Sequence, residues 1–217
     1  MGNAARLLIV LLAVVLLLAA CGREPTGGPL TSEITVSDDD GMHGAVLTEQ
    51  YVVPDLFLTD TGGEPFSLRE DTTGPLTLVF FGYTNCPDIC QVVMADIASA
   101  MNRLNTSERE RVDMLFVTTD PARDDEQALR AYLDRFDPGF EGLTGELATI
   151  VEAGKAFGVP IERGAKMPSG GYEVAHGTQI VAVNAKDRSP IVWTEGTPAV
   201  GLAEDISTLL ETGSLTP

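Results

Sequence analysis

Residues 75–83, PLTLVFFGY, are a nearly unbroken apolar run of strand length, and residues 112–119, VDMLFVTT, repeat the pattern further along. A strand with one wet face alternates apolar and polar side chains, so continuous runs of this kind belong to strands covered on both faces. Between them, Ile89, Val93, Ile97, Ala100, Met101 and Leu104 recur at the spacing of one helix face. A chain built this way must layer helices against a buried sheet.

The remaining segments fit that plan. Residues 57–68, FLTDTGGEPFSL, read as two short strands about a Gly62-Gly63 turn. Asp124 with Gln127 resembles an N-cap and its box partner, opening the helix DEQALRAYLDRF. Residues 147–157 and 200–210 carry two more helical periods, and residues 179–185 and 190–194 read as a late antiparallel pair joined by a polar turn. The expected fold is α/β and thioredoxin-like, with a central mixed sheet flanked by helices and an N-terminal β-hairpin, spanning residues 45–217.

The first twenty residues are set apart from this domain. Arg6 precedes the apolar run LLIVLLAVVLLLAA, whose fourteen residues reach about 21 Å as a helix, short of the roughly 30 Å hydrocarbon core. A positive start, a short apolar centre and small residues at its end describe an export signal over residues 1–20. Leu18-Ala19-Ala20-Cys21 is similar to the lipobox of bacterial lipoproteins, which implies lipid attachment at Cys21 and a membrane anchor. Residues 21–44 are rich in Gly, Pro, Ser, Thr and Asp and read as a flexible acidic tether. Within it, His43 beside Met42 is either inert or a contact for a soft metal.

Composition narrows the function. Of 217 residues, 44% are hydrophobic, enough to exclude a wholly disordered chain. The formal net charge of −18 argues against sequence-independent nucleic-acid binding, which needs Lys and Arg to neutralise phosphates. Three cysteines are too few for a disulfide-stapled scaffold, and two histidines exclude a His-rich metal site.

With Cys21 assigned to lipid, Cys86 and Cys90 have only each other. They lie in FGYTNCPDIC, where the buried strand ends and the amphipathic helix begins. Pro87 suits the first helical position, which puts Cys86 near the N-cap and Cys90 one turn along on the same face. Unpaired amides and the positive end of the helix dipole favour thiolate there. Four readings stay open: a structural disulfide, a dithiol–disulfide catalyst, a soft-metal site and peroxide reduction. The disulfide would close a loop of about five residues and contribute only about 2 kcal/mol. His176, the other histidine, follows the Gly- and Pro-rich stretch MPSGGY. In a thioredoxin-like arrangement its loop faces the cysteine helix, so it could reach both sulfurs; the alternative is an imidazole serving a local backbone carbonyl. Gly170 and Gly171 would let that loop close or swing away, and Trp193 is expected to pack.

Four segments in order resemble the Sco/SenC family of thioredoxin-like copper proteins: FGYTNCPDIC at 81–90, TDPARD at 119–124, GLTG at 142–145 and YEVAH at 172–176. The similarity covers about residues 45–210. It implies Cys86, Cys90 and His176 as ligands of copper, as Cu(I) and Cu(II), with Asp120 an acidic position near the metal or a turn residue ahead of Pro121. It further implies a metallochaperone, anchored on the extracytoplasmic face of a bacterial membrane, that loads or prepares the CuA centre of cytochrome c oxidase subunit II. The rival implication is a thiol–disulfide oxidoreductase with no essential copper. Gln91 departs from a proline common after the second cysteine, and Gly177 from a hydroxyl residue common after the histidine.

Overall fold

The computed structural model describes residues 41–72, 74–166 and 172–213. The first elements among the described residues are β1 (Ala45–Val52), the hairpin β2 (Phe57–Asp60) and β3 (Pro65–Ser67), and the apolar β4 (Leu76–Gly82). Helices α1 (Ile89–Met101) and α2 (Thr106–Arg109) lead to β5 (Val112–Thr118), followed by α3 (Glu126–Leu133), β6 (Glu141–Thr144) and α4 (Leu147–Ala156). A separate pair, β7 (Ile161–Lys166) and β8 (Tyr172–His176), precedes β9 (Ile180–Asn184), β10 (Arg188–Trp193) and α5 (Ala199–Thr212).

Among the described residues, eight strands form one sheet in the order β1-β10-β9-β4-β5-β6-β2-β3. β4, β5 and β6 run parallel, while β9, β10 and β1 add antiparallel on one side and β2 and β3 on the other. The two apolar runs are the central strands, and their side chains divide by pleat. Leu78, Phe80, Met114 and Phe116 enter one core with residues of α1, α3 and α5. Val79, Phe81, Leu115 and Val117 enter a second core with Ile150 and Ala153 of α4 and with Phe157. Burial on both faces thus follows from the absence of polar alternation.

Three local readings shift. Helix α1 begins at Ile89, because Asp88 holds a non-helical backbone (φ −145°, ψ −84°) and is the N-cap; Pro87 therefore precedes the cap instead of opening the helix. The cap of α3 is Asp125, whose side chain accepts from the Ala128 amide, while Asp124 turns inward to other partners. Strand β1 was not legible, since TEQY in its middle lacks apolar alternation; it lies at the sheet edge, paired with β10 across an irregular register.

Residues 41–44, read as the end of the tether, are tied to α5. The Asp205 carboxylate, buried in that helix, accepts the amides of His43 (3.0 Å) and Gly44 (2.9 Å) and the indole Nε1–H of Trp193 (2.7 Å). Trp193 itself is fully buried packing, as expected. Asp205→Ala leaves three donors without an acceptor, so a loss of about 3 kcal/mol is expected, measured as a lower midpoint in urea unfolding.

Candidate metal and thiol site

The parallel register of β4 and β5 pairs Gly82 with Thr118 at their C-terminal ends. The Thr119 amide (2.7 Å) and hydroxyl (3.2 Å) both donate to the Gly82 carbonyl, fixing where the chain leaves the sheet. A turn follows, closed by the Cys86 amide donating to the Tyr83 carbonyl at 3.2 Å. It delivers Cys86 to the mouth of α1. There the Asp88 side chain makes no capping bond, and the orphan amide of Cys90 donates instead to Cys86 Sγ at 3.4 Å. The sulfur does the work of an N-cap oxygen, and a negative sulfur does it best.

Both cysteines are buried and unbridged. The Cys86 thiol is lowered to about 3, chiefly because Cys90 donates a hydrogen bond to its sulfur; His176 and the backbone at Asp88 and Cys90 add to the effect against the cost of burial. Cys90 is pushed up by the same hydrogen bond and then by burial. The pair therefore keeps one proton between two sulfurs, and it sits on Cys90. An alkylating reagent should accordingly label Cys86 first in the reduced protein. Because its thiolate is already formed above about pH 3, the rate should stay flat from pH 5 to 8, where an ordinary thiol would speed up by nearly a thousandfold. Time-resolved mass spectrometry of labelled peptides measures both features.

His176 ends β8, where its backbone pairs with Ile161 of β7. Its Nδ1 lies 2.8 Å from the Gly177 carbonyl, and a carbonyl only accepts, so Nδ1 carries the proton. The other nitrogen, Nε2, lies 3.6 Å from Cys90 Sγ. The reading of an imidazole that serves a local carbonyl is what Nδ1 does, and that bond leaves the other nitrogen, Nε2, facing Cys90. A metal with bonds of about 2.3 Å to sulfur and about 2.0 Å to nitrogen holds such ligands about 3.6 Å apart at an open angle. Two sulfurs and one imidazole form a soft donor set, suited to copper and zinc more than to hard cations. Phe80 and Tyr83 wall the imidazole edge-on, with ring centroids at 6.3 and 5.8 Å.

Asp120 is buried and ion-paired with Arg123. The Arg123 guanidinium sits over the Tyr83 ring at 5.8 Å, and Tyr83 packs on His176. Asp120 thus reaches the site through two intermediaries, while its carbonyl closes the following turn by accepting from the Arg123 and Asp124 amides, both at 3.0 Å. Sequence reasoning missed Tyr83 and the inward role of Asp124, although both fall inside motifs it used. His43 Nε2 meets Glu204 at 2.9 Å on α5. Cys21, Gly170 and Gly171 lie outside the described residues. Among the described residues, no helix is long and apolar enough to cross a membrane.

The sequence pattern of the SCO1/SenC family matches residues 46–211. The chain is 37% identical over 131 residues to a mitochondrial SCO2 homologue of Danio rerio, covering 60% of this chain and 47% of that one. It thus spans about half the length of that relative. Among solved structures, apo Sco1 of Thermus thermophilus is similar with a TM-score of 0.70 and 27% identity, over 80% of this chain and 99% of the other. The copper-bound ScoI of Bradyrhizobium japonicum gives a TM-score of 0.63 and 26% identity, over 74% and 97%.

Proposed function

The chain belongs to the SCO1/SenC family, and from that premise we propose that it binds copper through Cys86, Cys90 and His176 and supplies it to, or prepares, the CuA centre of cytochrome c oxidase subunit II. The observation that supports this most directly is the approach of His176 Nε2 to within 3.6 Å of Cys90 Sγ, which joins a ligand remote in sequence to a local sulfur pair. Copper-bound ScoI of Bradyrhizobium japonicum, a protein of similar fold, makes copper the metal to test.

The chemistry of the ligands fits copper as cargo. Thiolate favours Cu(I) and imidazole suits Cu(II), so one donor set accommodates both states. Cys86 is ready as thiolate, whereas Cys90 must give up its proton when metal enters, so loading releases one proton. Oxidation of Cys86 and Cys90 to a disulfide by exchange with an external disulfide, which takes the two electrons and leaves as its dithiol, would withdraw both sulfurs and release the metal. An export signal over residues 1–20 and lipid on Cys21 would hold this site on the extracytoplasmic face of the membrane, with residues up to about 40 as the leash. Palmitate labelling of the full chain, lost in Cys21→Ala, tests the anchor.

Anaerobic titration of the reduced protein with Cu(I) tests the function. One tightly bound equivalent is expected, followed by a thiolate-to-Cu(II) charge-transfer band when Cu(II) is bound instead. Binding no tighter than in a Cys86→Ser, Cys90→Ser double variant would refute the copper role.

A further inference from the structure

We propose that Asp124 is a positioning residue whose buried charge biases the Cys86–Cys90–His176 site toward Cu(II) over Cu(I), a step that rests on the copper reading above. Asp124 is fully buried, at 0% exposure. Its carboxylate takes three hydrogen bonds: from the Thr84 amide (2.9 Å), the Thr84 hydroxyl (2.6 Å) and the Thr118 hydroxyl (2.7 Å). Its own carbonyl accepts from the Thr144 hydroxyl at 3.0 Å. The carboxylate therefore joins the end of β5 to the loop that presents Cys86, with Thr84 only two residues from that sulfur.

All three donors to the carboxylate, one backbone amide and two hydroxyls, are neutral. Such a shell stabilises a carboxylate without cancelling its charge, whereas a residue needed only to bridge strands could be an amide. The charge lies close to the sulfurs, since the Thr84 amide and hydroxyl that it accepts from belong to the loop presenting Cys86. With both cysteines ionised, the site carries a net charge of −1 around Cu(I) and zero around Cu(II). A fixed negative charge nearby, in a medium far less screening than water, favours the less negative of these two states.

Asp124→Asn tests this, because an amide fills the same space and the threonine hydroxyls can rotate to meet it. Cu(I) and Cu(II) affinities of the full chain are measured separately by competition with chelators, with thermal unfolding as the control for fold. The ratio of Cu(II) to Cu(I) affinity should fall about tenfold, with Cu(I) affinity within about threefold of the parent. Thr118→Val removes a donor but keeps the charge, so it should leave the ratio within about threefold. An unchanged ratio in Asp124→Asn, or equal losses in both oxidation states, overturns the proposal, the second outcome marking a purely structural residue. If Asp124→Asn does not fold, Thr118→Val decides: a retained ratio supports the charge, and a tenfold fall overturns it. A parent protein that binds no copper at the three ligands overturns the copper reading instead.

Discussion

Replacing His176 with alanine should weaken Cu(II) binding by more than about 100-fold while weakening Cu(I) binding by less than about tenfold. Losing a partner that merely orients a ligand already costs roughly 10–100-fold, so loss of the ligand itself must exceed that. Cu(I) is soft and stays with two thiolates, whereas Cu(II) depends on the harder imidazole. The fold should survive, since the main sheet closes without the β7–β8 pair that carries His176. Chelator competition in each oxidation state measures the effect. The same variant separates copper delivery from thiol exchange. His176 is only the third-ranked influence on Cys86, behind the Cys90 hydrogen bond and burial, so dithiol chemistry should persist while oxidase assembly fails. A strain relying on His176→Ala that still assembles active oxidase would show that the imidazole is not a working copper ligand.

What could be read from sequence follows from how local each signal is. β4 and β5 announced their two-sided burial because apolar residues fill nearly every position without polar alternation, and α1 announced its buried face through one helical period. The hairpin of β2 and β3 was marked by Gly62-Gly63, with Gly63 at φ +84°. The cysteine pair was equally local, one helical turn deep. Capping was less secure, because adjacent aspartates 124 and 125 are chemically alike and only the tertiary environment decides between them. Thr84 and Thr118 claim Asp124, leaving Asp125 to cap α3. The approach of His176 to Cys90 depends on where β8 lies relative to α1, which no spacing encodes; the expected thioredoxin-like arrangement left it as one of two readings, and the four-motif resemblance made it a ligand. Likewise, nothing between Met42 and Gly44 reveals that Asp205 awaits their amides.

Cys90→Ala is the complementary experiment, because Cys90 serves Cys86 twice, as the other sulfur and as the donor that stabilises its thiolate. Cu(I) affinity should fall by more than about 100-fold, since a single thiolate remains for a metal that prefers sulfur. Independently of any metal, Cys86 should lose acidity. Its strongest influence disappears, while the histidine and the backbone groups at the helix mouth continue to act. The alkylation rate of Cys86, flat with pH in the parent, should therefore rise with pH through a midpoint well above 3 and below the ordinary thiol value. Cys90→Ser distinguishes the two services. A serine hydroxyl can still donate to Cys86 but is a poor ligand for Cu(I), so copper binding should fail as it does with alanine while much of the acidity is kept. Equal loss of acidity in both variants would mean that the helix mouth and His176 set the charge on Cys86 and that the hydrogen bond from Cys90 does not.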